Sequence, residues 1–335
     1  MKILIATGIY PPDIGGPAQY AYETEQAFKR AGHEVTVLAF RLERKLPTGI
    51  RHLYYFLRVI FSLRGVDLIF SPDTWSAALP ATIAAKIFGK KIILRTGGDF
   101  LWEWYVERTG DMVLLKDFYT TRLSKLNLKE RSTLRLLLVM FRWADITIFS
   151  TAWQRDLFAQ PYRLDSKKCV IVENYYGEKI GALPCARKNF IAGSRPLKWK
   201  NAERVMEAFA LVKGKGVEAE YDGTTTPHTA FLEKIRSAYA VMVVTLGDIS
   251  PNTILDAIRS DKPFIMTTET GFTERLKDIA IFVNPEDTHD IAEKIEWLSD
   301  ENNYKAQQTK IRAFPFRHSW DEIVEEILSI YHTTS

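Results

Sequence analysis

Four consecutive stretches decide the fold: KILIAT (2–7), GIYPPDIGGP (8–17), AQYAYETEQAFKRA (18–31) and EVTVLAF (34–40). The first is an apolar run of strand length. The second is a loop, broken by Pro11-Pro12 and by Gly15-Gly16. The third places Tyr20, Ala21, Phe28 and Ala31 at helical spacing, and Gly32 follows as a stop. The fourth is again a strand. Two strands joined through a helix are expected to pair in parallel, with a right-handed crossover.

The alternation continues outward. Strands are expected at 66–71, 91–95, within 143–150 and at 169–173, with a helix at 76–88. A second series starts near Arg187. It has strands at 189–192, 219–221, 240–245, 263–267 and 279–283, and helices at 202–213, 228–238, 250–259, 287–299 and 319–332. This is an α/β pattern with mostly parallel sheets in two tandem domains, joined near 177–188. Ligands of such domains bind at strand C-terminal ends and in clefts between domains.

Composition is that of an ordinary globular chain: 335 residues, 46% apolar and 26% charged, with a formal net charge of +4. Disordered and collagen-like classes are excluded. The two cysteines, Cys169 and Cys185, form no CxxC, which excludes a disulfide scaffold and a cysteine-rich zinc site and fits a reducing compartment. No run reaches the ~18 apolar residues of a membrane span. Residues 3–6 lead straight into Tyr10-Pro11-Pro12, so no signal peptide is expected. The six histidines make no HExxH or clustered pair, and no GxSxG elbow or GxxxxGK[ST] loop occurs. The first loop is not GxGxxG, so a dinucleotide fingerprint is absent.

Four constellations carry candidate chemistry. Gly15 and Gly16 open a helix, where backbone N–H groups approach an oxygen-rich ligand; the alternative is a structural turn. Gly193, Arg195, Lys198 and Lys200 follow the first strand of the second half, a cationic loop suited to a diphosphate or merely solvated. Asp248, Ser250, Asn252, Thr253 and Asp256 surround a helix start, with Ser250 as N-cap and Pro251 as first helical residue. That start offers an anion site, and the two carboxylates offer acceptors for sugar and ribose hydroxyls. Asp99, Trp102, Glu103 and Trp104 follow Gly97-Gly98, and carboxylates beside aromatic faces suit a sugar ring; the alternative is a turn running into aromatic core.

Two segments are basic and apolar together. Residues 41–64 carry six Lys/Arg against Glu43, and residues 116–142 carry seven against Asp117 and Glu130. Each reads either as a surface for anionic lipid or as a core-facing helix with a solvated basic face. Nucleic acid is not expected, since no recognition motif is present.

Together these residues resemble the GT-B glycosyltransferases, close to the large retaining family 4 (glycosyl transferases group 1), along nearly the whole chain. The resemblance implies two Rossmann-like domains facing a cleft, with the second shortened. It assigns 1–180 to the acceptor side, 187–315 to the nucleotide sugar, and 319–332 to a helix crossing back to the first domain. The glycine-rich first loop is matched by Tyr10–Pro17, and the family's GR…K loop by Gly193, Arg195 and Lys200. Asn174 stands at the interdomain PNG position, and Ser150 at the serine after ADxxxxxS. The family's E-x7-E is matched by Asp248 and Asp256, each one methylene shorter. The usual His-Gly is replaced by Thr96-Gly97-Gly98-Asp99, which resembles a subgroup with a GDxxWE run. After Tyr221-Asp222-Gly223 the family's next strand and helix are missing.

The resemblance implies transfer of a hexose, with retention, from a UDP- or GDP-linked sugar to a glycan or lipid-linked hydroxyl. Asp99, Arg195, Lys200 and Asp248 would be catalytic. Gly15, Gly16, Gly193, Ser250, Asn252, Thr253 and Asp256 would bind the donor, and Trp102, Glu103 and Asn174 the acceptor or sugar. No cofactor and no metal are implied. A cytoplasmic location is expected, with peripheral association at the inner face of a membrane as an option. Two alternatives stay open: a nucleotide- or glycan-binding protein with a degenerate transferase fold, and a GT-B sugar-nucleotide epimerase.

Overall fold

The computed structural model describes all residues except Ile14, Ser194, Arg195, Thr225, Phe316, Thr334 and Ser335. The elements in chain order begin with β1 (Lys2–Thr7), α1 (Gly16–Arg30), β2 (Glu34–Ala39), α2 (Thr48–Ser62), β3 (Leu68–Ser71), α3 (Ala78–Ile87) and β4 (Lys91–Thr96). Then come α4 (Phe100–Thr109), α5 (Leu115–Thr121), α6 (Leu128–Trp143), β5 (Ile146–Phe149), α7 (Ala152–Ala159) and β6 (Cys169–Ile171). The second series is β7 (Asn189–Ile191), α8 (Ala202–Gly214), β8 (Glu220–Asp222), α9 (His228–Ser237), β9 (Ala240–Val243), α10 (Asn252–Arg259), β10 (Phe264–Thr267) and β11 (Ile281–Val283). Helices α11 (Thr288–Ser299), α12 (Glu301–Ala313) and α13 (Trp320–Thr333) close the chain.

Two compact units divide it. One is Met1–Leu101, Ser124–Asn174 and His318–Ser335; the other is Trp102–Leu123 and Tyr175–Arg317. The first holds a six-stranded sheet in the order β2-β1-β3-β4-β5-β6, and the second a five-stranded sheet in the order β11-β10-β9-β7-β8. Every pairing in both is parallel. Strands β3, β5, β9 and β10 are buried along their whole length, as parallel strands covered by helices must be.

The second unit shows how a two-residue period builds two core layers. Phe190, Ala240, Met242, Val244, Ile265, Ile281 and Val283 face α8 and α11. Their alternates Ile191, Val241, Val243, Phe264 and Met266 face α9 and α10, with Ile311 of α12 joining them. Strand β8 leads through residues 223–227 straight into α9.

In the first unit α13 packs on α1. Arg30 reaches Asp321 at 2.6 Å, and Tyr20 meets Trp320 edge-on at 5.1 Å. Ser319 and Glu322 cap the helix reciprocally, as S-x-x-E predicts. Arg95, on β4, is buried. Its guanidinium lies 4.1 Å from the Tyr20 ring centroid and donates to the Asn174 carboxamide. The carbonyl of Asn174 meets His318 Nδ1 at 3.2 Å.

Residues 102–123 come from the first half of the sequence but pack within the second unit. The Leu115 N–H donates to the Leu246 carbonyl at 3.0 Å. Lys116 Nζ donates to Glu269 Oε1 at 2.5 Å, and Trp102 tilts against Trp199 at 5.5 Å. Lys198 gives its N–H to Glu107 Oε1 and its ammonium to the Glu107 carbonyl. Gly247 makes this packing possible: a Cβ there would lie 2.4 Å from Leu115 Cβ.

Two predictions follow from this seam. Gly247→Ala should cost about 1–3 kcal/mol, because the clash is with a Cβ and the backbone must shift. Thermal melting with limited proteolysis of 102–123 measures it; Leu115→Gly should relieve the loss and Leu115→Ala should not. Burial pushes the Glu269 carboxyl up, and the Lys116 ammonium opposes that rise. A carboxyl raised in the folded state loses stability as pH climbs through its folded pKa. Lys116→Met therefore should destabilise by about 1–2 kcal/mol at neutral pH, less than a fully buried pair because Lys116 is half exposed. The loss should shrink toward about pH 4.5 and vanish when Glu269→Gln is added. Denaturation midpoints across pH give the readout, and a pH-independent loss would contradict the assignment.

Candidate active site

In a parallel sheet the loops after the strands gather on one edge. In the second unit this edge collects the residues after β7, β9 and β10. Gly193 follows β7, and a Cβ there would meet the Phe231 ring at 2.0 Å. Close packing of α9 demands this glycine before any ligand does. Arg195 lies outside the described residues. Lys198 donates to Glu107 through both its N–H and its ammonium.

Lys200 Nζ donates to Asp248 Oδ2 at 3.1 Å and lies 4.1 Å from the Trp199 ring centroid. Asn201, in the left-handed region at φ 60°, ends the preceding turn. Its carboxamide donates to the carbonyls of Val244 and Pro285, fixing the loop to the end of β9. Lys200 and Asp248 are both mostly buried, so the ammonium is aimed before any substrate arrives.

Helix α10 starts at Asn252, with Pro251 at the cap position and no side-chain cap bond. The expected cap at Ser250 is one residue early: the helix start has slipped past the proline. Asn252 and Thr253 form the first turn. Asp256, buried in the next turn, accepts from Arg259 Nη1 at 3.2 Å. Arg259 also donates to the Glu178 carbonyl and lies 5.5 Å from the Tyr175 ring centroid. Asp256 thus anchors the cation that holds the start of the 175–188 segment.

Glu269, after β10, is the residue the sequence reading passed over. The Asp248 N–H donates to its carbonyl at 2.9 Å, and Asp248 forms a parallel bridge with Thr270. Its side chain is nine-tenths buried. Lys116 takes one carboxylate oxygen, and the other has no partner among the described residues. The one sequence signal was an acid two residues beyond a buried strand, at Thr267-Thr268-Glu269.

In the first unit, Gly15 caps α1 at φ 146°, a conformation that excludes a side chain. Gly16 and Pro17 open the helix, and no side chain caps it. Asp99 is buried ahead of α4. Gly97, just before it, leaves room for Arg95: a Cβ there would lie 2.6 Å from Nη1. Asn174 is buried beside the same guanidinium.

Glu103 is half-buried in the first turn of α4, in the other unit from Asp99. Trp102 is core: its indole N–H donates to the Val113 carbonyl at 3.0 Å and its ring packs on Trp199. The aromatic surface near Asp99 belongs instead to Trp75 and exposed Phe100, stacked at 6.2 Å and 12°, with His52 edge-on to Trp75 at 5.4 Å. Among the described residues no group of three or more His, Cys, Asp or Glu side chains is placed to hold a metal ion.

No protein-family model and no curated protein matches the chain. Solved structures do. HepE from Anabaena, in complex with UDP-glucose, is 14% identical, covering 99% of this chain and 100% of that one at a TM-score of 0.69. Sucrose-phosphate synthase from Thermosynechococcus elongatus is 11% identical, covering 99% and 98% at 0.71. The UDP-forming α,α-trehalose-phosphate synthase from Burkholderia xenovorans, in complex with glucose-6-phosphate, is 11% identical, covering 99% of each chain at 0.67. Two parallel-sheet units, matched end to end by these structures, give the chain the GT-B fold of the glycosyltransferases.

Proposed function

We propose that the protein is a glycosyltransferase that moves a hexose from a nucleoside-diphosphate sugar to a hydroxyl of a glycan or lipid-linked acceptor, with retention of configuration. The observation that carries this reading is the Lys200–Asp248 pair on the strand-end edge of a GT-B second unit. Structural neighbours complexed with UDP and UDP-glucose support the donor class.

In this reading the bond between the anomeric carbon and the diphosphate oxygen breaks, and its electron pair leaves on the diphosphate. Lys200 and Arg195 stabilise that charge, aided by the dipole of α10 at its start. Asp248 accepts hydrogen bonds from the sugar, and Asp256 from the ribose. The acceptor oxygen bonds to the anomeric carbon, and Asp99 binds the acceptor hydroxyl or takes its proton. Gly15, Gly16 and Gly193 allow close backbone approach. Trp75 and Phe100 offer the sugar-facing aromatic surface, since Trp102 is enclosed.

A screen of UDP-, GDP- and ADP-sugars by mass spectrometry should show one donor converted to its nucleoside diphosphate. With that donor, Lys200→Ala should lower turnover about 10²–10³-fold without a matching loss of melting temperature. Full turnover by Arg195→Ala/Lys200→Ala would refute the diphosphate assignment. Asp256→Asn should weaken donor binding about tenfold, the scale of one hydrogen bond to a charged group. An unchanged donor dissociation constant would remove Asp256 from the site.

A further inference from the structure

Helix α2 buries Tyr55 and Val59 on its inner side, where the Tyr55 hydroxyl donates to the Leu38 carbonyl. Its outer side is apolar too. Ile50, Leu53, Tyr54, Leu57 and Phe61 follow one another at intervals of three, one, three and four residues, which puts them on a single face. All five are exposed, Leu53 at 60% and Phe61 at 84%. A surface helix of a globular unit ordinarily turns such a stripe inward. A contiguous exposed apolar stripe marks an interaction surface.

The stripe does not stop at α2. In the sheet, β3, β4 and β5 are neighbours, and α2, α3 and α6 each run back to the start of one of them through a short loop. The three helices pack side by side, α3 between the other two. Their C-terminal ends therefore share one edge of the unit. Phe61 stands there with exposed Ile87 (62%) of α3, Phe88 just after it, and Trp143 of α6.

Charge decides the occupant. Helices α2 and α3 contain no acidic residue, and the one acid of α6, Glu130, is buried in its capping box. Glu43, the single acid of 41–64, is buried and taken by Arg58 and the Arg41 N–H. Exposed Arg41, Lys45, Arg64, Lys86 and Arg142 surround the stripe. On the loops nearby, Asp67 accepts from the Lys2 N–H and Asp145 from the Ile92 N–H. A second copy of the chain docked here by two-fold symmetry would face this cationic rim with its own. An anionic bilayer takes both features at once, the apolar side chains entering the headgroup boundary and the cations meeting lipid phosphates.

We propose that the α2 face, continued by the C-terminal ends of α3 and α6, docks the protein on an anionic lipid bilayer. Of the two basic, apolar segments only 41–64 presents such a stripe. Segment 116–142 is divided between the units, and its Leu115–Thr121 helix buries Leu115, Phe118 and Tyr119. Among the described residues no helix is long and apolar enough to cross a membrane, so docking is at the surface. The proposal stands independently of the transfer chemistry.

Flotation of the full chain with vesicles tests it. Phosphatidylcholine vesicles containing roughly one-third phosphatidylglycerol should carry the protein up at low salt, and pure phosphatidylcholine should not. Lys45→Gln/Arg64→Gln should weaken binding about thirtyfold, the sum of two surface cations. Leu53→Glu/Phe61→Glu should abolish it with the melting temperature unchanged, since both side chains are exposed. Absence of flotation at low salt, equal flotation with pure phosphatidylcholine, or retained binding by Leu53→Glu/Phe61→Glu would each overturn the proposal. A dimer in sedimentation equilibrium that Leu53→Glu/Phe61→Glu dissolves would give the face to a second copy, which overturns it as well.

Discussion

A carboxylate nine-tenths withdrawn from water needs a cation, and Glu269 has Lys116. That pair ties α5, from the first half of the chain, to the end of β10 in the second unit. Its neighbour Leu115 then lies against Gly247 and bonds the Leu246 carbonyl, which fixes the turn leading to Asp248. Asp248 leans back on Glu269 through its own N–H and meets Lys200 through its side chain. The candidate site is therefore held from behind by a segment that is distant in sequence. The salt bridge behind it involves neither the Lys200 ammonium nor the Asp248 carboxylate.

The chain crosses between the units four times: after Leu101, Leu123, Asn174 and Arg317. Two of these crossings are pinned together inside the first unit. Asn174, the last residue before departure, accepts from the buried Arg95 and bonds His318, the first residue after return. A guanidinium buried against Tyr20, Asn174 and the Gly97 turn joins α1, β4, the end of the β6 segment and α13 in one network. Removing any one member would leave a buried polar group without its partner, the costly half of a hydrogen bond.

Legibility followed the range of the forces involved. Parallel strands announce themselves through local apolar runs, so both sheets were readable; which side of each strand meets which helices, as with Phe190 and Ile191, became visible only in the structure. Helix α12 was not, because ENNYKAQQTKIRA is polar all round and contributes little beyond Gln307 and Ile311 to the interior. Helices α4 to α6 were equally opaque: their sequence is aromatic and cationic, and the Asn127–Glu130 capping box is its clearest boundary. Lys200, Asp248 and Asp256 could be picked out by residue type and spacing. Glu269 could not, since nothing near it in sequence names Lys116. Trp102 read as a sugar platform because sequence shows an aromatic beside a carboxylate, but not that Val113 and Trp199 enclose it.

Among the described residues the charges on this edge come in neutral pairs: Lys200 with Asp248, Lys116 with Glu269, Arg259 with Asp256. In the proposed reading a diphosphate would bring more negative charge than these three pairs balance as they stand. The start of α10 would supply part of the balance through its dipole. Lys200 has further N–H donors once Asp248 holds one. An aspartate at 248 or 256 stays close to the backbone, where Lys200 and Arg259 hold it in the unliganded chain. In the proposed reading a sugar or ribose hydroxyl would compete with a cation for those oxygens. In the proposed reading donor binding on this edge would be an exchange of partners, its selectivity resting on which hydroxyls replace the ammonium and the guanidinium at the two aspartates.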